Sequence, residues 1–97
     1  MTVADLDEVQ YDLEVDGEQA RRQLARKIWE TRGWATVAVV YQERDKAGEW
    51  KPAKLALLKF RRLHEVWKKE SSLNIDAADA LTLGELLVGD WREALLG

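Results

Sequence analysis

A chain of 97 residues, 46% apolar and 34% charged, is expected to form one domain over 1–97, being too short for two ordinary cores and too apolar for a disordered chain. It has no cysteine, which excludes disulfides, thiolate metal sites, iron–sulfur clusters and thiol nucleophiles and fits a reducing compartment. No apolar run approaches the ~18 residues that span a bilayer, and the acidic start is opposite in sign to the basic end of a signal peptide, so a cytoplasmic location is expected.

The net charge of −3 conceals three blocks. Met1–Ala20 carries −7 with no base, Arg21–Lys69 carries +9, and Glu70–Gly97 carries −5 with Arg92 as its single base. Partners meet patches rather than net charge, so the middle block is where a polyanion would bind, unless the acidic ends neutralise it within the fold.

In chain order, Met1–Glu8 reads as a flexible acidic leader. Val9, Tyr11, Leu13 and Val15 then alternate with polar residues at the period of a half-buried strand, which Asp16-Gly17 ends as a turn. Glu18–Thr31 is made of good helix formers, with Ala20, Leu24 and Ile28 near one face, acid at its start and Gly33 as its stop, and predicts a helix. Trp34–Glu43 is β-branched and aromatic with both faces apolar, which predicts a central strand. Arg44–Glu49 is a polar connection, and Trp50 with Pro52 marks the return.

Ala53–Glu70 admits two readings. As a helix, Ala53, Ala56, Leu57, Phe60, Leu63 and Trp67 form one stripe. As a hairpin, Lys54–Arg62 pairs with Trp34–Glu43, turns near Leu63–Glu65 and returns over Val66–Ile75. Leu55, Leu58 and Val66 lie off the helical stripe, and the alternation from Trp67 to Ile75 through Ser71-Ser72 favours the hairpin. Asp76 is placed to cap a C-terminal helix. Thr82-Leu-Gly-Glu85 repeats the capping-box spacing and suggests a restart or a kink, helped by Gly84 and Gly89. The expected fold is therefore α+β: an antiparallel meander of about three to four strands, an N-terminal helix, and a C-terminal helical segment packed on the sheet. The expected core is Leu24, Ile28, Val37, Val39, Leu57, Leu73, Ile75, Leu83, Leu86 and Leu87.

Little in the chain resembles a catalytic site. His64 is the single histidine and sits among bases near an expected turn. The acids Glu43, Asp45 and Glu49 are too sparse for a calcium loop. Gly84 and Gly89 bracket no phosphate-cradling sequence. No enzyme activity, cofactor or metal is expected. What stands out is a run of cations interleaved with aromatic residues. Lys59, Arg61, Arg62, Lys68 and Lys69 are expected to hold phosphates, with Trp67, Tyr41 and Trp50 stacking bases, on a sheet that grips single-stranded DNA or RNA.

Gly48-Glu49-Trp50-Lys51-Pro52 and Ser72-Leu73-Asn74, followed by a terminal helix, resemble the end of the small single-stranded-DNA-binding transcriptional coactivators, whose sheet and helix form homodimers. The spacing is longer in this chain and the Glu18–Thr31 helix is extra, so the resemblance assigns no residue a role. The C-terminal leucines exceed what a small sheet needs. Leu86, Leu87, Trp91 and Leu95 are therefore expected at an interface, either of a homodimer or, as the alternative function, of an adaptor subunit that docks on another protein and has no nucleic-acid role.

Overall fold

The computed structural model describes all residues, Met1–Gly97. Its centre is Trp34–Glu43 (β4), which is flanked on both sides as its two apolar faces require. On one side lies Lys54–Leu63 (β5) followed by Val66–Asp76 (β6), the hairpin reading of that segment. On the other side lies Glu18–Thr31 (β3). Thr2–Val3 (β1) pairs with β6 and Leu13–Val15 (β2) with β3, so the six strands run antiparallel in the order β1-β6-β5-β4-β3-β2 and curl into a half-barrel. Ala77–Val88 (α1) and the short Arg92–Leu96 (α2) close the chain.

This corrects the expected three- to four-strand meander with an N-terminal helix. Glu18–Thr31 is a fourteen-residue strand. Its residues are good helix formers, but that preference is worth only ~0.1–0.7 kcal/mol per residue. A central strand with an apolar, β-branched face on each side needs a partner at both edges, and ten registered pairs with β4 supply one. The turn confirms the pairing. Arg32-Gly33 joins Thr31 to Trp34 in two residues, both at positive φ (47° and 81°), as a tight hairpin requires. Asp16-Gly17 turns in the same way.

The acidic start is built into the sheet rather than trailing from it. From β1 at one edge to β2 at the other, the chain crosses one face of the sheet, and on the way it buries Leu6 and Val9 and half-buries Tyr11. A 3-10 turn at Leu6–Glu8 is capped by Asp5, whose carboxylate accepts from the Asp7 amide at 2.9 Å. Arg26 fastens this strap to β3 by donating from Nη1 to the Val9 carbonyl at 2.6 Å.

The core lies under the strap, on what we call the first face: Leu6, Val9, Ala35, Val37, Val39, Tyr41, Ala56, Leu58, Phe60 and Trp67. Of the expected core Val37 and Val39 are in it, and Ile28 packs against it half-buried. Leu57 and Leu73 pair with each other on the opposite face, where Leu73 is 58% exposed, and Leu24 is 51% exposed at a bulge. With a thinnest dimension of 17 Å, the molecule has room for one sheet and a thin layer on each side. Its radius of gyration is 15.5 Å, against ~12–13 Å for a compact domain of this length. No helix is long and apolar enough to cross a membrane.

Tyr41 carries a pH dependence. Its ring meets Tyr11 edge-on at 4.8 Å, and burial, with smaller contributions from Tyr11 and Glu43, raises the phenol above its ordinary value. The unfolded chain therefore loses this proton first as pH rises. The stability it contributes is complete below about pH 10 and is lost as pH climbs through the folded value. Chemical-denaturation midpoints measured from pH 8 upward should fall at the alkaline end, and fall less in Tyr41→Phe.

Candidate nucleic-acid interface

The second face has two halves, which follow from strand register. Four side chains meet across the sheet in each row, because paired residues on neighbouring strands point the same way. The rows Ala25, Val40, Leu55, Ile75 and Lys27, Ala38, Leu57, Leu73 are almost wholly apolar. Over them lies α1, started at Asp76, whose side chain makes no capping bond, and running through Thr82-Leu-Gly-Glu85 without a restart. The helix covers this half loosely. It buries none of its own residues and leaves a cleft of about 760 Å³ against Trp29, Leu57, Leu73 and Leu87.

The next two rows carry the cations: Trp29, Thr36, Lys59, Ser71, which line the outer side of the same cleft, and Thr31, Trp34, Arg61, Lys68, which lie beyond it. Trp29 is 48% and Trp34 39% exposed. The Lys59 ammonium stands 5.7 Å, and the Arg61 guanidinium 5.9 Å, from the centre of the Trp34 ring. Thr31, Trp34 and Lys59 frame a hollow of about 360 Å³. Arg61 also meets Glu70 at 3.4 Å, where an extra residue bulges β6. Lys27, exposed in the neighbouring row, adds a cation beside Trp29.

The residues expected to form one site are divided by the pleat. Lys59, Arg61 and Lys68 share this open half of the second face. Arg62, Trp67 and Lys69 point to the first face, where Trp67 is 4% exposed beneath Arg62, whose guanidinium lies 5.3 Å from the ring centre. Tyr41 is equally buried. Trp50 sits at the other end of β4, half-buried, with the guanidinium groups of Arg22 and Arg44 at 4.1 and 4.2 Å from its ring centre. Neither Tyr41 nor Trp67 offers a ring to a base, and Trp50 is already faced by cations of its own chain.

Comparison with known protein families, curated proteins and solved structures finds no match.

The aromatic pair that does face solvent, Trp29 and Trp34, was absent from the expected site. The signal for it was present. Once Thr31-Arg-Gly-Trp34 is recognised as a two-residue hairpin, Trp29 and Trp34 must fall on the same face, and Lys59 and Arg61 follow from the β4–β5 register. Of the expected interface residues, Leu87, Trp91 and Leu95 are exposed, and Leu86 is half-buried.

Proposed function

We propose that the chain is a non-catalytic binding module that takes single-stranded nucleic acid on the open half of its second face. The observation that carries this reading is the pair of half-exposed indoles on adjacent strands with Lys59 and Arg61 within 6 Å of one of them. Trp29 and Trp34 serve as stacking platforms, and Lys27, Lys59, Arg61 and Lys68 hold phosphates. A single strand fits because its bases can lie flat on the sheet, whereas a duplex hides its ring faces. The chain's net negative charge does not oppose this, because fields of separated charges are screened within ~10 Å at 0.1 M salt. The strap lies on the first face and leaves this site uncovered.

The test is fluorescence anisotropy of a labelled oligothymidine, and of a duplex, over a salt series. Four phosphate contacts predict a log–log slope of about −2.8 for a single strand. Arg61→Ala should weaken binding and flatten the slope by about 0.7, while its neighbour Arg62→Ala, on the first face, should do neither. Equal losses in the two variants, preference for the duplex, or no binding at about 50 mM salt would overturn the assignment.

A second reading, a subunit that docks on a protein through its C-terminal segment, is favoured by one observation: α1 and α2 bury no residue, and Leu95 and Leu96 are left exposed. It becomes the working one if nucleic acid does not bind.

A further inference from the structure

Two long strands leave most of an outer edge unpaired, β6, which β1 accompanies only at Trp67 and Lys68, and β3. β2 accompanies it only over Glu18–Arg21. The strap holds Gln23, whose amide donates to the Asp12 carboxylate at 2.8 Å. Beyond that, Ala25–Thr31 pairs with β4 alone. The two-residue turn makes Thr31 and Trp34 a hydrogen-bonded pair, so by alternation Arg26, Ile28 and Glu30 direct their amide and carbonyl groups outward. An edge of this kind is a template for another strand.

We infer that this edge pairs with the same edge of a second copy, antiparallel and centred on Ile28, to give a two-fold dimer with one continuous sheet. The sequence of the edge chooses both occupant and register. Centred on Ile28, Arg26 of each chain stands opposite Glu30 of the other, Lys27 opposite Trp29, Ala25 opposite Thr31, and the two half-buried Ile28 side chains meet at the axis. Centring on Arg26, Lys27 or Glu30 sets like charges face to face, and centring on Trp29 brings Arg26 opposite Arg32. Cross-strand pairs of opposite charge stabilise an antiparallel ladder and like pairs oppose it. The two β2 strands fall beyond the ends of the paired segment, so neither is displaced. The extended, thin shape of the single chain agrees with a sheet that continues into a neighbour. The dimer also sets two copies of Trp29 and Lys27 beside each other on the second face, doubling the length of the open half described above, although the pairing itself does not depend on what that face binds.

The experiment is sedimentation of the full chain over a wide concentration range. The expected result is a mass that rises from 11.2 kDa to twice that value. Glu30→Arg should weaken the dimer at least tenfold, and the charge swap Arg26→Glu with Glu30→Arg should restore it. Because Arg26 also fastens the strap, an independent variant guards against misfolding. Ile28→Cys, in a chain without other cysteines, should oxidise to a covalent dimer only if the two Ile28 positions are opposed. A chain that stays monomeric, a dimer indifferent to Glu30→Arg but lost in Leu87→Glu, or an Ile28→Cys chain that does not cross-link would overturn the inference.

Discussion

Replacing Trp29 and Trp34 together by alanine is expected to abolish most single-strand binding while leaving the fold intact. Each stacked base is worth about 1–3 kcal/mol, so the pair should cost about 2–6 kcal/mol, at least ~30-fold in affinity. The fold survives because both rings are half-exposed and outside the core cluster. The loss should also differ in kind from that of the cation variants. Removing stacking platforms lowers affinity at every salt concentration and leaves the salt slope nearly unchanged, whereas removing Lys59 or Arg61 flattens the slope. Anisotropy on the double variant, with far-ultraviolet circular dichroism as the control for folding, checks both parts. An unchanged affinity would mean that the indoles do not stack.

Phe60→Ala is expected to produce the largest loss of stability. Phe60 is fully buried, and it sits where β5, the β4 hairpin partner Ala35 and the bulge opposite Lys69 converge under the strap. Truncating a buried phenylalanine costs about 3–5 kcal/mol, against a total of about 5–15 kcal/mol for a domain of this length. The cost lies toward the upper end because only ten residues are buried, so few neighbours can collapse into the cavity. Urea unfolding followed by tryptophan fluorescence should show a midpoint shift of that size, or a chain already unfolded without denaturant. The same truncation on the other face, Leu73→Ala, should change stability little, because that side chain is mostly exposed. A small effect at Phe60, or a large one at Leu73, would place the core on the wrong face.

How much of this was legible in the sequence depends on where local signals and tertiary demands agree. They agree at Trp34–Glu43, where β-branched residues on both faces allow only a central strand. They also agree along Lys54–Ile75, where Leu55 and Leu58 off the helical stripe and alternation through Ser71 favour the hairpin. They conflict at Glu18–Thr31. There Arg21, Gln23, Leu24, Ala25 and Lys27 prefer a helix weakly, and the opposing force, the unpaired edge of Trp34–Glu43, lies in another segment. The hairpin signal at Arg32-Gly33 was also masked, because glycine after a helical run reads equally well as a helix stop.

That single misassignment carried over to the core and the site. With Glu18–Thr31 taken as a helix, nothing fixed which face of the sheet was inward, so Val37 and Val39 of the first face were grouped with Leu57 and Leu73 of the second. The acidic strap was invisible for a similar reason. Leu6 and Val9 are isolated apolar residues among acids, and only the finished sheet shows that they lie across it. For the site, the cations Lys59, Arg61 and Lys68 were readable from alternation, but their aromatic partners were not. Phe60 and Trp67 are their sequence neighbours and therefore point to the opposite face, whereas Trp29 and Trp34 are distant in sequence and adjacent in space.

The five tryptophans allow the binding claim to be tested at the level of single rings. In a nitrogen-15 correlation spectrum each indole N–H gives its own signal. These report on two indoles of the open half, Trp29 and Trp34, one faced by arginines at the far end of β4, Trp50, one in the core, Trp67, and one beside the C-terminal helix, Trp91. Titration with a short oligothymidine should move the Trp29 and Trp34 signals together, leaving Trp50, Trp67 and Trp91 in place. Movement of Trp91 or Trp50 with Trp29 and Trp34 unmoved, or no movement of any of the five, would contradict the assignment of the open half of the second face as the binding surface.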